Sequence, residues 1–330
     1  MTTLALLPDP GEPLDHETAE QAFADMLDGK VADDAVAEFL IALTVREESA
    51  VEIAAAARAL RARMIEVSAP TGAIDVCGTG GDGAHSLNIS TAVAIVVAAA
   101  GVPVAKHGTR AASSRAGAAD TLEALGLDLD RASARAEQSL ADLGIAFLFA
   151  QQHHPALARL APVRRAIGRR TIFNLIGPLA NPARVTRQLL GVARVDYLPT
   201  VAQAIELLGA EAALVVAGEE HLDELSIAGP SRAESIGLCA FPRTVTPEDA
   251  GIARHALDAI RGGDAAYNAA ALRALLQGEP GAYRDAVLLN AGAALVVAGA
   301  AATLPEGVEE AAETIDKGLA NALMNCWIKF

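Results

Sequence analysis

The chain has 330 residues, enough for a large domain with a smaller one, and its 26 basic against 41 acidic residues give a net charge of -15. That charge repels nucleic acid and anionic membranes, so neither is an expected partner. Apolar residues make up 52% but aromatics only 3%, which favours helices packed on a buried sheet over a β-sandwich. Cys77, Cys239 and Cys326 are odd in number and lack metal-ligand spacing, so they read as reduced thiols rather than a disulfide or zinc framework.

Met1 to Leu7 is apolar but runs directly into Pro8-Asp9-Pro10-Gly11, without the basic start or length of a signal peptide. Asp15 is a candidate N-cap for a first helix, in which Ala19, Ala22, Phe23, Met26 and Leu27 recur on one face. A second helix follows Asp33, with Val36, Phe39, Leu40 and Leu43, and Glu48 to Val67 reads as an Ala-rich third. At Ile74 the pattern changes: Ile74-Asp75-Val76-Cys77 is a short strand entering Gly78-Thr79-Gly80-Gly81-Asp82-Gly83. Thr91 to Ala100 is a compact apolar helix stopped by Gly101, and Val102 to Ala105 is a strand ending at Lys106.

Further strands are expected at Ala146 to Phe149, Gln188 to Val192, Ala213 to Ala217 and Leu225 to Ala228, in a mostly parallel sheet covered by helices. Pro162 to Pro182 reads as a helix followed by an irregular crossing. Ala286 to Leu304 is apolar, but Asn290, Gly292 and Gly299 interrupt it, so a buried helix or strand-helix pair is expected rather than a membrane span.

Between a strand and a helix, a glycine loop lets backbone N–H groups approach an anion, and the helix N-terminus adds a favourable field. On its glycines alone the loop is equally a plain turn, because it matches neither the dinucleotide fingerprint nor the lysine-containing P-loop. Ser86 and the run Asn88-Ile89-Ser90-Thr91 add hydroxyl and amide groups that could cap the helix and face a second phosphate. Lys106-His107-Gly108-Thr109-Arg110 and Ser113-Ser114-Arg115 then place cations and hydroxyls at a strand's C-terminal end, where open α/β sheets collect ligands. Asp223-Glu224 alone reads as solvated surface.

Together, Asp75 to Gly83, Asn88 to Thr91, Lys106 to Asp120, Pro162-Val163-Arg164, Thr171 to Pro182 and Leu222 to Ser226 resemble the signature of the anthranilate phosphoribosyltransferases. That family shares its fold with pyrimidine nucleoside phosphorylases, and the resemblance runs from about residue 15 to 320. It implies a helical domain over residues 1–69, joined by 163–185, and an α/β domain over 70–330, with the site between them. It assigns phosphoribosyl pyrophosphate to Gly78, Gly81, Asp82, Ser86, Asn88, Ile89, Ser90, Thr91, Lys106, His107, Gly108, Thr109, Arg110, Ala111, Ala112, Ser113, Ser114 and Ala118. Anthranilate falls to Gly78, His107, Thr109 and Arg164, with His154 a further candidate, and magnesium, two ions, to Ser90, Asp223 and Glu224.

The implied reaction is substitution at the ribose anomeric carbon through an oxocarbenium-like state. Lys106 would stabilise departing pyrophosphate and Arg164 would hold the anthranilate carboxylate. The amine already carries its lone pair, so no strong base is needed, and no covalent enzyme intermediate is expected. A homodimer in the cytoplasm is implied as well. Thr109 departs from the family's usual Asn and loses an amide's paired donor and acceptor. The competing readings are a nucleoside phosphorylase-like enzyme and a non-catalytic relative that binds nucleic acid or protein. A dinucleotide-dependent oxidoreductase lacks its glycine spacing here.

Overall fold

The computed structural model describes residues 5–111, 115–237 and 241–330. Three helices open the chain: α1 (His16–Leu27), α2 (Asp33–Arg46) and α3 (Ala50–Arg61). Asp15 caps α1 by accepting from Thr18 N–H at 2.9 Å, and α3 starts in a reciprocal capping box between Ser49 and Glu52. Glu52 is fully buried and survives there because Arg46 pairs with it at 2.5 Å and Leu14 N–H donates to it at 3.0 Å.

The sheet has seven strands: β1 (Ile74–Gly78), β2 (Val104–Gly108), β3 (Ile145–Phe149), β4 (Arg187–Gly191), β5 (Ala212–Gly218), β6 (Ser231–Ile236) and β7 (Thr244–Val245). Their order is β3-β2-β1-β4-β5-β6-β7, with the first five parallel and the last two antiparallel. The chain therefore winds outward from β1 in one direction and from β4 in the other. Sheets wound in this way bind ligands at the strands' C-terminal ends beside the reversal, here between β1 and β4.

Alternate residues of β1, β4 and β5 feed two separate cores, as a period of two requires, while Ala105, Ala146 and Leu148 of β2 and β3 pack in a third, smaller cluster. Ile74, Val76, Leu189, Leu214 and Val216 face a core built with α4 (Ile89–Ala99) and the long helix Ala282–Ala298. Cys77, Leu190, Ala213 and Val215 face the other core, which the three N-terminal helices share with Leu160, Val163, Phe173 and Leu175. The helix Pro155–Ile167 thus carries its buried Leu160 and Val163 into the helical layer, against α1 and α2.

Two expectations are corrected. Leu225 to Ala228 is not a strand but a buried loop, because its backbone groups are taken by side chains: Leu225 by Asn290 and Ser226 N–H by Ser231 Oγ. Strands β6 and β7, which carry exposed Arg232 and Thr244, were not foreseen. The apolar run near residue 290 is the single helix Ala282–Ala298, and among the described residues no helix is long and apolar enough to cross a membrane.

Candidate active site

The glycine loop leaves β1 at Gly78 and turns with positive φ at Gly80, Gly81 and Gly83, conformations that side chains resist. It is tied to the end of β4, where Thr79 N–H donates to Gly191 C=O at 2.9 Å. Ala193 N–H returns a bond to Thr79 Oγ at 3.3 Å. On its outer side the loop is held by the segment after Leu257–Ile260, through Gly262 N–H to His85 C=O and Leu87 N–H to Ile260 C=O. Ser86 pairs there with Arg261 in a β-bridge.

Asp223 lies over the two glycines that end β1 and β4. A Cβ on Gly191 would fall 1.6 Å from its carbonyl oxygen. Its Oδ2 accepts from Gly80 N–H at 2.7 Å. Gly191 was missed in the sequence, although a glycine closing a strand beside a glycine loop signals this close approach.

Burial is the main cause that raises the carboxyl of Asp223, to about 7, and the neighbouring Asp82 carboxyl adds to it. Glu224, 7% exposed, is also held well above the carboxylate range, first by burial and then by the charge of Asp223. Three acids are thus crowded at the loop with little cationic compensation.

Lys106 is a buried cation whose charge acts on Glu224. It lies within β2, 2% exposed, and its Nζ donates to Val76 C=O at 2.8 Å and to Ser90 Oγ at 3.2 Å. Its charge pulls Glu224 and Asp75 down against the larger, raising effect of burial. Asp75 in turn accepts from His107 N–H at 3.1 Å, which locks β2 to β1.

Asn88 takes the N-cap position of α4, but its side chain makes no capping bond. Its Oδ1 accepts from Thr121 Oγ at 2.6 Å and from Asn268 Nδ2 at 2.9 Å, while its Nδ2 reaches Ala116 C=O at 3.3 Å. The side chain is therefore a cross-brace, and Ser90 offers its hydroxyl toward Lys106 instead. Ile89 and Thr91 are buried in the first turn of α4.

Beyond Gly108, Thr109 is exposed and Arg110 is held by Asp120 at 3.0 Å and by Glu123, beside the Phe149 ring. Ala111 N–H and Gly117 N–H both donate to Asp120 at 2.9 Å, closing the loop just before α5 (Ala118–Leu125). Ala112, Ser113 and Ser114 lie outside the described residues.

His107 Nδ1 meets Gly177 C=O at 3.0 Å, and its Nε2 meets His154 Nε2 at 3.2 Å. Burial lowers both imidazoles, His107 to about 3 and His154 to about 4, so the pair is neutral. Arg164 is half-buried, with its guanidinium 5.8 Å from the Phe173 ring centroid and no hydrogen bond or ion pair from that guanidinium among the described residues. A guanidinium kept partly dry and unpaired in an acidic protein is set up to receive an anion.

The profile of the glycosyl transferase family, a/b domain, matches residues 70–321, and that of the glycosyl transferase family, helical bundle domain, matches residues 10–64. An anthranilate phosphoribosyltransferase of Novosphingobium aromaticivorans is 64% identical over 98% of this chain and 99% of its own length. One of Sphingopyxis alaskensis is 61% identical over the full length of both. The chain belongs to the anthranilate phosphoribosyltransferase family. Among solved structures of the family, the enzyme from Thermus thermophilus superposes with a TM-score of 0.92 at 44% identity, covering 97% of this chain and 96% of that one. The Saccharomyces cerevisiae enzyme in complex with PRPP and Mg superposes with a TM-score of 0.87 at 27% identity, covering 96% and 93%.

The donor set fits the magnesium that this family implies. Asp82, Asp223 and Glu224 are hard oxygen donors, and the raised carboxyls of Asp223 and Glu224 signal missing positive charge. Among the described residues no group of three or more acids, cysteines or histidines is arranged to hold a metal by itself.

Proposed function

We propose that this chain transfers the 5-phosphoribosyl group of phosphoribosyl pyrophosphate to the amine of anthranilate, giving N-(5-phosphoribosyl)anthranilate and pyrophosphate, a step of tryptophan biosynthesis. The observation that carries the reading is the crowding of Asp82, Asp223 and Glu224 against a glycine loop at the sheet's switch point. Backbone N–H groups there suit phosphates, and the raised carboxyls of Asp223 and Glu224 suit the dication that accompanies them.

Asp223 and Glu224 would hold the magnesium, with Ser90 beside them, and the bound ion would neutralise charge on the departing pyrophosphate. Three carboxylates and a pyrophosphate carry more charge than one dication offsets, which supports two ions. The loop N–H groups and the start of α4 would grip the donor's phosphates. Lys106 acts from beneath: it holds Ser90 Oγ and pins β1 to β2, so the phosphate motif and the strand end stay in register. Arg164 would orient the acceptor through its carboxylate, which brings the amine in line with the anomeric carbon. The neutral His107–His154 pair would line the acceptor side as hydrogen-bonding surface without adding charge. A homodimer in the cytoplasm completes the proposal, as is usual in the family.

The test follows the fluorescence of anthranilate with phosphoribosyl pyrophosphate and magnesium. Loss of signal that needs both additions is the expected result. Phosphorolysis of thymidine, with anthranilate unchanged, would overturn the assignment.

A further inference from the structure

Asn290 stands in the middle of the apolar helix Ala282–Ala298 and is fully buried. Its side chain does not simply satisfy itself within the helix. Oδ1 accepts from Leu225 N–H at 2.9 Å, and Nδ2 donates both to Leu225 C=O at 3.0 Å and to Ala286 C=O at 2.9 Å. Asn290 therefore pairs with both backbone groups of the residue that follows Asp223-Glu224, as a neighbouring strand would.

Two turns earlier on the same helix, Tyr283 Oη donates to Asn88 C=O at 3.1 Å. Residues seven apart share a helix face. One rigid element thus grips the first residue of the Asn88–Thr91 motif with one side chain and the acidic loop with another. Other bonds reach the loop as well: Gly80 N–H donates to Asp223 Oδ2 at 2.7 Å, His255 N–H to Ile227 C=O at 2.9 Å, and the Ser90 backbone hydrogen-bonds the Glu224 carboxyl. Those on Asp223 and Glu224 end on the carboxyl groups, whereas Asn290 holds the backbone next to the acids to the helix that also grips Asn88.

We propose that Asn290 is a positioning residue, which sets the place of the Asp223-Glu224 pair relative to Ser90 through its paired bonds to Leu225. The inference rests on the magnesium reading given above. Partners that orient a metal's ligands commonly change metal affinity about 10- to 100-fold when removed.

The test uses Mn²⁺ as probe, titrated by electron paramagnetic resonance into the whole enzyme with phosphoribosyl pyrophosphate present, at a temperature where circular dichroism shows the protein folded. Asn290→Leu keeps the branched four-atom shape and removes all three bonds. Asn290→Ser is the milder variant and leaves room for a water at Leu225. Mn²⁺ affinity is expected to fall about 10-fold or more in the folded variants, while KM for anthranilate stays within about twofold. A purely structural Asn290 would lower the thermal midpoint and leave Mn²⁺ affinity unchanged, and that result in either folded variant overturns the proposal. Wild-type enzyme that binds no Mn²⁺ with the donor present sinks the magnesium reading and this inference with it.

Discussion

Gly78 has room for no side chain because Asp223 occupies the space: a Cβ there would stand 2.2 Å from Asp223 Oδ2 and 3.1 Å from its backbone oxygen. Gly78→Ala is therefore expected to push Asp223 off the loop rather than to unfold the sheet. Displacing a reacting geometry by about 1 Å costs on the order of 100-fold in rate. kcat/KM should fall by about that factor, and the magnesium needed for half-maximal activity should rise. Unchanged magnesium dependence in Gly78→Ala would show that the close approach has no functional role.

The raised carboxyl of Asp223 has a consequence for stability in the absence of metal. Its folded pKa of about 7 lies above the ordinary 3.8, so between these values the folded protein binds more protons than the unfolded chain. Stability must then fall as pH rises from about 4 to about 7. Asp223→Asn is expected to remove this slope and to raise stability near pH 7.5 by on the order of 1–2 kcal/mol, while turnover collapses. Urea midpoints measured in chelator at pH 5 and pH 7.5 check it. Parallel pH dependence in wild type and variant would mean that Asp223 ionises freely in the fold.

The imidazole pair works in the opposite direction. His107 and His154 are depressed to about 3 and about 4 from 6.5, so the unfolded chain takes up protons that the folded pair refuses. Their contribution is complete above about pH 6.5 and is lost as pH falls toward 4. The two titrate as a coupled unit, so the shift belongs to the pair. His154→Gln keeps a polar partner for His107 and removes one titration. Its stability should drop less steeply than that of wild type between pH 6.5 and pH 4, read by urea midpoints, and an equally steep drop would place the acid sensitivity elsewhere.

How far these features were legible depended on whether their causes were local. The β1 strand, the glycine loop and the start of α4 follow from short-range patterns, apolar alternation and helix-start chemistry. Lys106 was legible as a cation at a strand end, but not as a buried tie to Val76 and Ser90, because that depends on which strands become neighbours. Asn88 looked like a helix cap, and Leu225 to Ala228 looked like a strand. In both cases partners far along the chain prevailed: Asn268 and Thr121 claim the Asn88 amide, and Asn290 claims the Leu225 backbone. Asn290 and its glycines were visible only as interruptions in an apolar run.

Acceptor recognition can be separated from donor recognition through Arg164 and Thr109. Arg164 faces the Phe173 ring without an acidic partner among the described residues, so removing it leaves no buried carboxylate exposed to cost. Arg164→Ala should therefore leave the fold stable and raise KM for anthranilate by about 10- to 100-fold, the worth of a charge-assisted pair at 1.5–3 kcal/mol. KM for phosphoribosyl pyrophosphate should stay within about threefold, and Arg164→Lys should recover only part of the loss, because an ammonium lacks the planar fork. A change confined to the donor's KM would remove Arg164 from the acceptor site. Thr109 is exposed on the loop after β2, where its hydroxyl replaces an amide. Thr109→Asn restores a paired donor and acceptor at little steric cost. It is expected to lower KM for anthranilate by about two- to fivefold, the worth of one net hydrogen bond. No change in steady-state fluorescence assays would mean that the Thr109 side chain does not meet the acceptor.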